Sequence, residues 1–172
     1  NDKNFLALEE TIKQALRVQV GSTTMVQAVL PDIYGDPRYE EQLKNFTATL
    51  EEQSRYISAS LNAIKGLSCA PGQGAFYLAA VFKDGVLKPG QTLPIKDGKV
   101  RAYIEALTAD PKLPLDKRFA FYLMAAKGIF LTPLSSFEGP LGFRVTTLKT
   151  DLNETKKVYA EIKSAIEEYL GL

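Results

Sequence analysis

Apolar residues recur at helical spacing over much of the chain. Leu8, Ile12 and Leu16 stand four apart and predict a helix from Asn4 to Arg17. Gly21 ends it, and Ser22-Thr23-Thr24 supplies a cap for a second helix from Met25 to Tyr34. That second segment is apolar nearly all round, so it is expected to be buried or to lie in an interface. Pro31 limits its regularity. Asp36-Pro37 restarts the chain as an N-cap followed by a first-turn proline, with Glu40 and Glu41 near the positive helix end. The helix that follows is predicted to run to about Lys65. Leu43, Phe46, Leu50, Ile57, Leu61 and Ile64 form one stripe on it, at spacings of three, four and seven, and Gly66 stops it.

Beyond Gly66 the pattern changes. Leu67 to Ala70 is a short strand candidate, and Pro71-Gly72-Gln73-Gly74 is a turn. Ala75 to Phe82 is a continuous apolar run, which predicts a strand buried on both faces. Lys83 to Lys99 turns polar and reads as an excursion with a small hairpin, marked by Asp84-Gly85, Pro89-Gly90 and Asp97-Gly98. Val100 to Leu107 and Leu115 to Lys127 are predicted helices, the second closed by Gly128. Ile129 to Thr132 and Phe143 to Leu148 are predicted strands joined by the loop Pro133 to Pro140. Asp151 opens a last helix with Glu154 as its capping-box partner, and Val158, Ile162, Ala165 and Tyr169 mark its inner face. The fold class is α/β in the broad, α+β-like sense: a small, partly antiparallel sheet packed with helices.

Length and charge narrow the picture. With 172 residues the chain suits one domain, 1–172, better than two. Its net charge is +1 with acids and bases interspersed, which argues against nucleic-acid or membrane-surface partners. No apolar run approaches the roughly 18 residues needed to span a bilayer, and no leader pattern opens the chain. The single cysteine, Cys69, cannot form an internal disulfide, which fits a reducing, cytoplasmic setting and an inert strand position. With no histidine there is no imidazole chemistry, and one cysteine cannot build a thiolate zinc site. A start at Asn1 that runs straight into a helical pattern suggests a piece cut from a longer protein, although an artificial start would look the same.

One side chain stands out chemically. Arg144 sits between Phe143 and Val145, and strand alternation places those two on one face and Arg144 with Thr146 on the other. A guanidinium in mid-strand needs an acceptor, and the strand holds no acid. Its partner comes from elsewhere in the fold or from a ligand; a structural ion pair and a snorkelling edge residue are equally open on this ground. Tyr77, Tyr103 and Tyr122 read as packing. Acid pairs such as Glu40-Glu41 and Glu51-Glu52 read as solvated helix faces.

The order of segments adds more. A long helix leads to Gly66-Leu67-Ser68-Cys69 and then Pro71-Gly72-Gln73-Gly74-Ala75-Phe76-Tyr77. A later helix leads to Lys127-Gly128-Ile129, then Pro133-Leu134-Ser135-Ser136-Phe137, then Gly142-Phe143-Arg144-Val145, and a final amphipathic helix follows. Over roughly residues 20 to 172 this resembles the C-terminal small domain of class I/II aminotransferases, the pyridoxal-phosphate enzymes of the aspartate aminotransferase fold. The resemblance implies that Arg144 grips the α-carboxylate of an amino-acid substrate, that Phe76 lines the substrate side of the pocket, and that Ser135, Ser136 and Phe137 form a loop that approaches the substrate. It also implies that Ser22 and Thr23 lie near the cofactor phosphate of a neighbouring subunit.

The family's Schiff-base lysine, the aspartate that holds the pyridine nitrogen and the phosphate-binding arginine have no match here. Lys127 reads instead as a helix C-terminal lysine, and Leu134 stands where the family's loop commonly has glycine. The resemblance therefore implies a substrate-binding domain, inert alone, of an enzyme that transfers an amino group between an α-amino acid and a 2-oxo acid. Pyridoxal phosphate would belong to the full-length enzyme, with none bound to this piece. The expected partners are the large domain of the same protein and a second subunit in a homodimer, with residues 1–34 as linker and interface helices. Two alternatives stand beside it: a free-standing, non-catalytic carboxylate-binding or scaffolding domain, and a piece of a lyase or decarboxylase on the same fold.

Overall fold

Caps and apolar spacing place the helices close to where they are expected. The computed structural model describes residues 3–18, 24–149 and 151–172. The chain forms two compact units, Asn1–Lys44 and Asn45–Leu172. In the first, α1 spans Lys3–Val18 and α2 spans Thr24–Gly35, with Pro31 inside the helix. Within this unit no residue of α2 is buried. The Asp36 carboxylate accepts the Arg38 backbone N–H at 2.8 Å and pairs with its guanidinium at 2.6 Å, and α3 (Arg38–Asn62) begins there. That pairing holds the Asp36 carboxyl below the ordinary carboxylate range. Gly21, Ser22 and Thr23 lie outside the described residues.

The second unit is built on a four-stranded sheet in the order β1-β2-β4-β3, with every neighbouring pair antiparallel. The strands are β1 (Leu67–Cys69), β2 (Tyr77–Phe82), β3 (Thr132–Pro133) and β4 (Gly142–Thr146). Leu78, Ala80, Phe82, Phe143 and Val145 are buried on one face. There Phe119, in the helix α5 (Leu115–Lys127), meets Phe82, Phe143 and Tyr169 at ring distances of 5.6, 6.0 and 5.0 Å. Tyr169 belongs to α6 (Leu152–Leu170).

Several expectations are corrected. β2 is not buried on both faces: its residues alternate, and Tyr77 and Ala79 are exposed. An antiparallel sheet covered by helices on one side leaves the other face open, and apolarity alone does not reveal which. The excursion 83–99 contains no strand, hence no hairpin; its apolar anchors Leu87, Leu93 and Ile95 are buried in the core instead. β3 shrinks to two residues because its pairing with β4 covers only Thr132↔Arg144 and Pro133↔Phe143. The α3 stripe divides: Ile57, Leu61 and Ile64 are buried, whereas Leu43 and Phe46 are nearly half exposed.

Helix ends have clear causes. α3 stops at Asn62, earlier than Lys65, and the Asn62 amide turns to the sheet edge. It donates to the Cys69 carbonyl at 2.7 Å and accepts the Cys69 N–H at 2.9 Å, standing in for a missing strand. Asp97 caps α4 (Gly98–Leu107) through Lys99 N and Val100 N, and Gly128 closes α5 at φ 69°. Asp151 caps α6 through Asn153 N and Glu154 N, while the Glu154 carboxylate pairs with Lys149 at 2.6 Å. The inner face of α6 is Tyr159, Ile162, Ala165, Ile166 and Tyr169, and Val158 lies at its margin, 37% exposed.

Candidate functional site

Alternation along β4 sends Phe143 and Val145 into the core and leaves Arg144 on the open face, as expected. No carboxylate among the described residues stands within 4 Å of its guanidinium. Two aromatic rings flank it instead. The guanidinium carbon lies 4.4 Å from the Tyr77 ring centre and 4.9 Å from that of Phe137. Strand register explains the first contact: Ala79 is directly opposite Arg144, and Tyr77 is its diagonal neighbour on the same face. Cation–π stacking of this kind holds the plane of a guanidinium while leaving its in-plane N–H donors available. Phe76, half-buried, packs on Tyr77 with ring centres 4.4 Å apart, so Phe76, Tyr77, Arg144 and Phe137 form one run of contacts.

The loop before β4 is a single 3-10 turn, Leu134–Phe137. Ser135 does not present a free hydroxyl: it donates to Asp116 at 2.6 Å, and its N–H donates to the same carboxylate at 2.9 Å. Ser136 and Phe137 are exposed on that turn. Leu134 has a packing role, since a Cβ on Gly142 would meet its Cδ1 at 2.9 Å.

A cavity of about 290 Å³ lies at the β3–β4 edge, lined by Arg144, Thr132, Gln53, Thr155 and Tyr159 among others. Gln53 is 1% exposed, and neither its Nε2 nor its Oε1 has a hydrogen-bond partner. Lys149 also lines this cavity, with its amine held by Glu154.

The donor set suits a carboxylate and does not suit pyridoxal phosphate. The lysine of the cavity is engaged by Glu154, and Lys127, at the C-terminal end of α5, lies 3.9 Å from Glu168. The buried Asp116 carboxylate is occupied by Ser135, Lys117 and Gly142 donors, so it is not available for a ring nitrogen. Among the described residues no carboxylate lies within 4 Å of the Arg144 guanidinium, and the lysine that lines its cavity is paired with Glu154. Among them no cluster of acids or thiols could hold a metal ion, and no helix is long and apolar enough to cross a membrane.

Sequence reasoning brought Arg144, Phe76 and Phe137 to one place and missed two residues. Tyr77 read as packing, because its position under Arg144 depends on strand register. Asp116 carried no signal in the sequence, because its partners lie 19 and 26 residues away. Ser22 and Thr23 lie outside the described residues.

The chain matches the family described as aminotransferase class I and II over residues 5–162. An aminotransferase of Methanocaldococcus jannaschii is 32% identical over 98% of this chain and 39% of that protein. An alanine aminotransferase 2-like protein of Danio rerio is 33% identical over 74% of this chain and 22% of its own length. Among solved structures, the aspartate aminotransferase of Rhizobium meliloti has a TM-score of 0.58 at 25% identity, covering 78% of this chain and 28% of that one. The alanine aminotransferase of Pyrococcus furiosus has a TM-score of 0.63 at 21% identity, covering 97% and 36%, and shares the fold. The chain thus spans about two fifths or less of the curated relatives it matches. With a one-sided antiparallel sheet, an aromatic-flanked arginine and a match that runs almost from end to end, the chain belongs to the class I and II aminotransferases.

Proposed function

We propose that this chain is the substrate-binding small domain of a pyridoxal-phosphate-dependent aminotransferase, and that Arg144 grips the α-carboxylate of its amino-acid and 2-oxo-acid substrates. The observation that carries this reading is the Arg144 guanidinium, 4.4 Å from the Tyr77 ring centre and 4.9 Å from that of Phe137 on an open sheet face, with no carboxylate among the described residues within 4 Å. A planar fork held by its faces offers two parallel N–H donors at its edge, and a carboxylate accepts both. Fixing the carboxylate aims the substrate's Cα–H bond at the reacting centre. Phe76 and Phe137 line that position, and closure of the loop over it excludes water.

The family is dependent on pyridoxal phosphate, whose electron-sink chemistry would come from a part of the enzyme other than these residues. On this reading the chain alone is inert. Relatives named for alanine and for aspartate share the α-carboxylate, which is the part of the substrate this site would read. The exposed apolar residues of the first unit, among them Phe5, Leu8, Met25 and Val29, fit a surface covered by the large domain and a second subunit.

The test is made in the complete enzyme. Removing one partner of a hydrogen-bonded charge pair costs about 2–5 kcal/mol. Arg144→Ala is therefore expected to lower kcat/KM for amino acids by about 30-fold or more. Arg144→Lys recovers the charge without the fork and falls between. An unchanged kcat/KM in Arg144→Ala overturns the assignment.

A further inference from the structure

Asp116 is 1% exposed, and no lysine or arginine amine among the described residues lies within 4 Å of it. A buried carboxylate without a counter-cation must be held by hydrogen-bond donors, and each of its partners then becomes fixed in space. It accepts from Ser135 N at 2.9 Å, Ser135 Oγ at 2.6 Å, Gly142 N at 3.4 Å and Lys117 N at 2.9 Å. The last of these is local. The others come from the two ends of the loop that runs from Ser135 to Gly142.

Those two ends carry the site. Ser135 stands two residues before Phe137, whose ring covers the Arg144 guanidinium at 4.9 Å. Gly142 stands two residues before Arg144 itself and opens β4. One carboxylate on α5 therefore ties the aromatic cover and the arginine strand to the same rigid point. The loop's backbone bonds act on one end each: Gly139 N–H donates to the Leu134 carbonyl at 3.1 Å and closes the turn on itself, and the Leu141 carbonyl accepts Phe82 N–H at 2.9 Å beside β4. We infer that Asp116 is a positioning residue for the carboxylate site, holding Phe137 in register over Arg144 through Ser135 and Gly142. The inference rests on the proposed role of Arg144. It also assigns the Ser135 hydroxyl to this internal anchor and takes it away from the substrate.

Asp116→Asn is the telling change in the complete enzyme. Ser135 N and Gly142 N share one carboxylate oxygen, and the Ser135 hydroxyl and Lys117 N share the other. An amide can keep its oxygen for the first pair but turns its NH2 toward the second, so the anchor loses its charge and two of its four bonds are disturbed. The expected result is a rise in KM for amino-acid substrates of about three- to tenfold, with kcat within about twofold. A cycle with Phe137→Ala separates positioning from general damage. If Asp116 acts through the Phe137 ring, Asp116→Asn changes KM less than about twofold once that ring is gone. Ser135→Ala, which removes one donor and leaves the backbone bonds, is expected to shift KM in the same direction by a smaller factor, and it carries the test if Asp116→Asn does not fold.

An unchanged KM in both folded variants, or an effect of equal size with and without Phe137, overturns the inference. Arg144→Ala, run alongside, tells the two failures apart. If it raises KM while Asp116→Asn and Ser135→Ala do not, the positioning role falls and the carboxylate site stands. If it leaves kcat/KM unchanged, the carboxylate site itself falls.

Discussion

Gly142→Ala should damage both the sheet and the site, and the structure sets the size of the effect. A Cβ at Gly142 would lie 2.3 Å from the Ala80 carbonyl oxygen, 3.1 Å from Val81 Cα and 2.9 Å from Leu134 Cδ1. The first two are backbone atoms of β2, so no flexible side-chain end can yield. Carbon and oxygen settle at about 3.3 Å, so β2 and β4 must part by roughly 1 Å at this point. Overpacking of this kind costs about 1–3 kcal/mol. Weakening a ladder bond beside the Val81↔Gly142 pair adds about 1 kcal/mol. The expected loss is about 2–4 kcal/mol, a large share of an ordinary domain's 5–15 kcal/mol. With a urea slope of roughly 2 kcal/mol per molar, the unfolding midpoint falls by about 1–2 M. Urea titration of the variant beside the parent chain, followed by far-UV circular dichroism, measures it. A loss below about 0.5 kcal/mol would refute the reasoning, because the close approach of β4 to β2 at Gly142 would then not constrain the fold.

Three further outcomes follow from the geometry. Tyr77→Leu keeps an apolar side chain but removes the ring 4.4 Å from the Arg144 guanidinium, so KM for amino acids in the complete enzyme rises about two- to fivefold; an unchanged KM means the ring does not hold the arginine. Gln53→Leu removes a buried amide with no partner and is expected to raise stability by about 1 kcal/mol in thermal denaturation, whereas a loss of that size would reveal a hidden partner in the cavity. Burial pushes the Cys69 thiol from 9.0 up to about 11 and, as its largest effect, the Tyr169 hydroxyl up to about 12. The fold prefers their protonated, neutral forms, so their contribution to stability is full below about pH 9 and fades as pH climbs through these raised values. A denaturation midpoint that stays constant up to about pH 11, or fast thiol labelling of the native chain at neutral pH, would contradict this.

Helices were legible because their causes are local. Asp151 and Gly128 cap their helices with their own side chain or backbone, within a few residues. Asp97 does the same for α4, although Asp97-Gly98 reads along the chain as a hairpin marker. Arg144 was also legible, since a period-two strand puts neighbours on opposite faces whatever else the fold does. The sheet's open side was not: Ala75 to Phe82 is apolar throughout, and only helices packed on one face, with β4 beside it, decide that Leu78, Ala80 and Phe82 are inside and Tyr77 outside.

What the amino-acid sequence determined by itself was the helices, the order of the sheet strands along the chain and an arginine, Arg144, in a strand without an acid. What only the tertiary structure decided was which groups meet that arginine. Tyr77 reaches it through the register of β2 against β4, and Phe137 reaches it through a loop tied to Asp116 across 19 and 26 residues of chain. Caps and alternation depend on bonds between near neighbours, so they can be read along the chain. Register and buried anchors depend on which distant segments pack together, and no local pattern of residues records that.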